Sequence, residues 1–136
     1  MKYVCLLILL ISQSAYADFF IVVNQESKVP SLKIEDITDL YLGRKKVLGS
    51  VYIDQVLDRT GEERARFFAK VAQMRISQVN AYWARLKFSG SMRAPERISS
   101  TQVLINKLRQ NPQAIGYMVE PPPIDSGVKV ALKIDE

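Results

Sequence analysis

Short apolar runs, too brief for helices, alternate along this chain with longer stretches of helical periodicity. That alternation restricts it to a small sheet covered by helices. Residues 19–23 are the first such run, aromatic and β-branched and stopped by Asn24, and they read as a buried strand. Ile34, Ile37, Leu40 and Tyr41 then recur at i, i+3, i+6 and i+7, a short amphipathic helix that Gly43 ends. Val51, Ile53 and Val56 suggest a second short strand. Over residues 62–74, Ala65, Phe68, Val71 and Ala72 share one side and Glu62, Glu63, Arg66 and Lys70 take another, which predicts a helix. The strongest helical signal spans 77–88, where Val79, Tyr82, Trp83 and Leu86 form a stripe and Ser77 can cap the start. Residues 100–110 make a further helix with Val103, Leu104 and Leu108 inward, and 115–119 and 128–134 read as strands on either side of Pro121-Pro122-Pro123. The expected fold class is α/β, a small mixed sheet covered by helices.

Composition narrows the chemistry. The chain has 136 residues, 48% of them apolar, which is one domain with a core of its own. It contains no His and a single Cys, so a zinc finger, a Cys–His nucleophile, a Ser–His–Asp triad and a His-ligated metal are all excluded. No Gly-x-Ser-x-Gly elbow, Walker loop or dinucleotide glycine pattern occurs. Asp36, Asp39, Asp54 and Asp58 lack the spacing of a catalytic pair, and no single loop gathers the several acids that calcium needs. No catalytic residue, metal ligand or cofactor site is expected, and the chain reads as a non-enzyme.

The first seventeen residues have the three-part form of a secretory signal. Met1-Lys2-Tyr3 is positive, Val4 to Ile11 is an apolar run of eight, and Ala15-Tyr16-Ala17 is a small-residue cleavage site. Eight apolar residues are far short of the roughly 20 that a membrane-spanning helix needs. Cleavage after Ala17 removes Cys5 and leaves residues 18–136 as one thiol-free domain. A cysteine-free exported domain holds together by packing alone, which suits a bacterial periplasm better than a disulfide-stapled extracellular module. Lys and Arg number 19 against 14 Asp and Glu, a net charge of +5. Export turns that balance away from nucleic acid and toward small anions or acidic envelope surfaces. Aromatic interleaving of the kind that stacks bases is absent, since Tyr82 and Trp83 lie on the apolar stripe of a helix.

Asp58-Arg59-Thr60-Gly61-Glu62-Glu63 stands after a strand and at a helix start. Unpaired amides and the helix dipole make such a place an anion site when small residues allow approach, with Arg59 adding charge and Gly61 adding room. The same residues also satisfy the capping-box pattern, Thr60 accepting from the amide of Glu63 while Glu63 reaches back. Both readings stand open on these residues alone. Arg44, Lys45 and Lys46, with Arg93 and Arg97, supply a second feature, a basic face for an anionic or acidic partner.

Four segments in this order resemble the second lobe of the periplasmic phosphate-binding proteins of ABC uptake systems, within the type 2 periplasmic binding protein fold. Phe20-Ile21-Val22-Val23-Asn24 is similar to the strand entering that lobe. The stretch from Ile34 to Lys45, ending Tyr41-Leu42-Gly43-Arg44-Lys45, is similar to the family's helix with its aromatic-x-Gly-Lys end. Val56-Leu57-Asp58-Arg59-Thr60-Gly61 falls where the family has its Arg-containing phosphate loop, and Gln113-Ala114-Ile115-Gly116-Tyr117-Met118 resembles its Gly-Ala-Ile-Gly-Tyr strand. Asn80-Ala81-Tyr82-Trp83-Ala84-Arg85-Leu86 is similar to short single-lobe relatives.

The resemblance implies one lobe of such a protein, with a phosphate-like anion held by Arg59, Thr60 and Gly61, assisted by Arg44 or Lys45. Thr60-Gly61-Glu62 stands here in place of the family's Ser-Gly-Thr. A single lobe leaves three routes: weak anion binding, pairing with a second copy to rebuild a cleft, or a surface that docks an envelope protein after loss of the ligand.

Overall fold

The computed structural model of the chain describes residues 18–90 and 92–136. The expected export signal at 1–17 lies outside the described residues. Eleven elements follow in order: β1 (Phe19–Asn24), α1 (Ile34–Tyr41), β2 (Val47–Leu48), β3 (Val51–Tyr52), β4 (Gln55–Asp58), α2 (Gly61–Ala72), α3 (Ile76–Phe88), β5 (Glu96–Arg97), α4 (Thr101–Gln110), β6 (Ala114–Met118) and β7 (Val128–Ile134). Five strands form one sheet in the order β5-β4-β6-β1-β7, and β2 and β3 form a separate hairpin. Strand β4 runs parallel to both β5 and β6, while β1 lies antiparallel to β6 and β7. The mixed sheet covered by helices is therefore the observed architecture.

Strand β1 occupies the interior of the sheet because both its faces are apolar. Phe19, Ile21 and Val23 join α1, α2 and α3 in the larger core, whereas Val22 points to the opposite face, where Leu104, Ile105 and Leu108 of α4 cover the sheet. A run with apolar residues on both faces is what a strand between two helical layers requires. Asn24 ends β1 in a structural role: its Nδ2 donates to the carbonyls of Leu108 and Arg109 at 2.9 and 3.0 Å, closing the last turn of α4.

Three local expectations are corrected. The segment 51–56 is divided, its first part pairing in the β2–β3 hairpin and its second belonging to β4 in the main sheet. Ser77 lies inside α3, because the side chain of Gln78 accepts from the Arg75 amide at 2.9 Å and the helix begins at Ile76. On α4 the inward stripe is Leu104, Ile105 and Leu108, and Val103 is exposed. The Ser100 hydroxyl caps that helix, accepting from the Val103 amide at 3.3 Å.

Gly116 in β6 lets α4 approach the sheet. A Cβ there would stand 2.8 Å from Leu104 Cδ1 and 3.4 Å from Leu57 Cβ, both in a fully buried cluster. Overpacking at such a point costs about 1–3 kcal/mol. Gly116→Ala is therefore expected to lower the urea midpoint with the m-value unchanged, and an unshifted midpoint would show that Leu104 moves aside freely.

Candidate site at the start of α2

Strand β4 ends at the carboxyl edge of its parallel pairings, the position where α/β sheets present ligand-binding turns. Three groups brace that end. Tyr41 Oη donates to the Leu57 carbonyl at 2.7 Å. Asp58, only 1% exposed, accepts through Oδ1 from Tyr117 Oη at 2.6 Å and from the Arg59 amide at 2.8 Å. Its Oδ2 accepts from Arg64 Nε at 2.7 Å, a buried ion pair whose other end is steadied by Arg64 Nη1 donating to Asn80 Oδ1 at 3.0 Å. Burial first, and the adjacent Asp58 carboxylate second, push the Tyr117 phenol far above its ordinary range, so it remains a donor.

The Arg59 side chain leaves this end of the strand and is itself 5% exposed. Its Nε donates to Glu63 Oε2 at 3.3 Å, and Nη2 donates to the Ser99 carbonyl at 3.3 Å and to Thr101 Oγ1 at 3.0 Å. The guanidinium thus bridges the first turns of α2 and α4. Its Nη1 is buried and has no hydrogen-bond partner among the described residues. A buried donor left in that state is costly and marks a place where an acceptor would be gained.

Thr60 is the N-cap of α2 in extended conformation, but its side chain makes no cap bond and is exposed. The capping-box expectation is overturned here. Glu63 turns to Arg59, and a charge-assisted bond to a guanidinium outcompetes one to a neutral amide. Among the described residues no side chain takes the place of Thr60 in capping the first amides of α2. Gly61 has φ +64°, a conformation that favours glycine, and the space where its Cβ would stand is empty to 4 Å. The turn carrying Arg59, Thr60 and Gly61 therefore combines open backbone, an uncapped helix start and a guanidinium whose Nη1 has both its N–H groups to spare. Glu62 and Glu63 also stand in this first turn, and Glu63 already takes one face of Arg59.

Arg44 and Lys45 do not join this turn. They pair with acids of α1, Arg44 with Asp39 at 3.9 Å and Lys45 with Asp36 at 2.8 Å, and the Lys45 hydrogen bond holds the Asp36 carboxyl below its usual range. Sequence reasoning missed Asp58, Arg64, Asn80 and Tyr117 as one network. A signal existed in Arg64, which shares a helical stripe with Phe67, Phe68 and Val71, because a charged residue on a buried stripe needs a buried partner. Among the described residues no group of three or more acidic or Cys side chains is placed to hold a metal, and no helix is long and apolar enough to cross a membrane.

No family model matches the chain, and no curated protein matches it. Solved structures do. A protein from Clostridium perfringens assigned as a phosphate ABC transporter substrate-binding protein, solved with bound phosphate, superposes with a TM-score of 0.62 at 16% identity over 85% of this chain and 45% of its own. An ABC-type phosphate transport receptor from Vibrio cholerae gives 0.56 at 19% identity, over 85% of this chain and 46% of the receptor. The chain has the fold of these substrate-binding proteins. PstS from Borrelia burgdorferi agrees, with a TM-score of 0.54 at 14% identity, over 84% of this chain and 47% of PstS. The chain thus spans about half the length of the substrate-binding proteins it matches.

Proposed function

We propose that this chain is an exported, non-catalytic binding lobe that captures a phosphate-like oxyanion at the start of α2. The observation that carries the reading is the buried, unpartnered Nη1 of Arg59 beside an uncapped helix N-terminus whose first residue, Gly61, faces open space. Amides of the first turn, the Thr60 hydroxyl and Arg59 are the donors an oxyanion needs. Periplasmic placement rests on the signal-like pattern of residues 1–17, and delivery to an ABC uptake system rests on the likeness to the solved receptors.

The test is thermal unfolding at matched ionic strength. Phosphate is expected to raise Tm where chloride does not, by the equivalent of about 2.7 kcal/mol at one hundred times Kd. Arg59→Ala is expected to abolish that shift. Identical melting curves in phosphate, sulfate and chloride would overturn the reading. They would favour instead a lobe that docks an envelope protein or a second copy, for which the Glu63 carboxylate already seated on Arg59 is the supporting observation.

A further inference from the structure

The basic residues that the α2 turn does not use converge elsewhere. A groove of about 710 Å³ lies between α3 and the segment 92–97. From α3 it receives Asn80, Trp83 and Lys87, which share one helical face at i, i+3 and i+7, and from the facing segment Met92, Arg93 and Arg97. Asp58 and Arg64 form the end of the groove nearest α2 and neutralise each other.

The remaining charge is one-sided. Lys87, Arg93 and Arg97 have no ion-pair partner among the described residues, and the Arg97 side chain donates from Nη2 to Asn80 Oδ1 at 3.2 Å. Glu96, the other acid on the groove, is held by Lys107 outside it at 3.1 Å. The wall beneath the cations is apolar. Trp83 is almost fully buried, and Met92 packs with it over Gly43, since a Cβ on Gly43 would strike both side chains. Trp83 Nε1 is a buried donor with no partner among the described residues. An inorganic anion would use the cations and leave the indole and thioether wall idle. A neutral apolar molecule would use the wall and strand the cations.

We propose that this groove is a second binding site, for small organic oxyanions in which a phosphate or carboxylate is carried on a flat apolar body. The body lies against Trp83 and Met92, and the oxyanion meets Arg93, Arg97 and Lys87. Its donors are different side chains from those of the α2 turn, so the two sites stand or fall separately.

Trp83 is the only tryptophan of the chain, so its fluorescence reports on this groove alone. The full chain is titrated with phenyl phosphate, inorganic phosphate and benzyl alcohol at constant ionic strength. Phenyl phosphate is expected to give a saturable change in Trp83 emission, while the other two leave it unchanged. Arg93→Gln and Arg97→Gln, both at exposed positions, are each expected to weaken that binding by about tenfold, with the melting temperature retained. Trp83→Phe, followed by calorimetry because the reporter is lost, is expected to weaken it while keeping the ring contact. Three results would overturn the site: no saturable change with phenyl phosphate, an equal change with inorganic phosphate, or an affinity that survives the Arg93→Gln/Arg97→Gln double variant. None of these bears on the Tm shift by inorganic phosphate, which tests the α2 turn.

Discussion

Replacing Arg64 with alanine is expected to lower the unfolding free energy by about 3–5 kcal/mol. The reason lies in what remains rather than in what is removed. Asp58 keeps its hydrogen bonds from Tyr117 Oη and the Arg59 amide, but it loses the one cation that pairs with it among the described residues, and its carboxylate is only 1% exposed. An ion pair of this kind need not stabilise the fold over an apolar pair, yet half of it is worse than either. Asp58→Asn combined with Arg64→Met is accordingly expected to be less destabilised than the sum of the two single changes. Urea unfolding of the four proteins measures the coupling. A loss below 1 kcal/mol for Arg64→Ala would mean that water reaches Asp58 and that the end of β4 is not the closed brace described above.

Phe67→Ala has an expected cost of similar size, about 3–5 kcal/mol, by a different mechanism. The ring is fully buried and stacks on Tyr117 with centroids 3.7 Å apart and planes 5° from parallel. It also meets Tyr41, Phe68 and Phe19 edge-on at 4.9, 5.5 and 5.6 Å. Truncation leaves a cavity between α1, α2 and the sheet that these large neighbours cannot fill by small shifts. The melting temperature should fall by about 10 °C or more. Phe88→Ala, at a residue 95% exposed, should stay within about 0.5 kcal/mol. Comparable shifts for the two would show that the aromatic cluster is loosely packed. Tyr117 belongs both to this stack and to the Asp58 network, so Phe67 and Arg64 variants are not expected to add.

The strands and helices legible in the sequence were those whose pattern is local. Residues 19–23 announce a buried strand by composition alone, and the stripe of α3 runs through Val79 and Trp83 as its spacing requires. Strand β4 was obscured because Val56 and Leu57 lie between Gln55 and Asp58. Its status comes from pairing with β6, more than fifty residues away. At the site, the helix start and the positions of Arg59, Thr60 and Gly61 were readable. Which partner Glu63 takes was not, because Arg59 four residues back and the Thr60 amide three residues back are both within its reach, and only side-chain direction decides. Likewise, the basic residues 44–46, 93 and 97 read as one face, but α1 holds two of them while Arg93 and Arg97 turn to the groove beside Trp83.

The position of β1 has a consequence for how the chain reaches its fold. Val23 lies opposite Ile115 on one side and Lys129 on the other, so the first strand waits for the last two before the sheet has an interior. Loop closure over nearly the whole described chain precedes any gain from that pairing, which makes folding slow relative to a protein built from neighbouring contacts. A polypeptide emerging from its N-terminus therefore keeps its most hydrophobic strand unpaired until β6 and β7 have followed. For the export proposed above, which would carry the chain across a membrane in extended form, that delay is an advantage: the sheet closes only once β7 has followed.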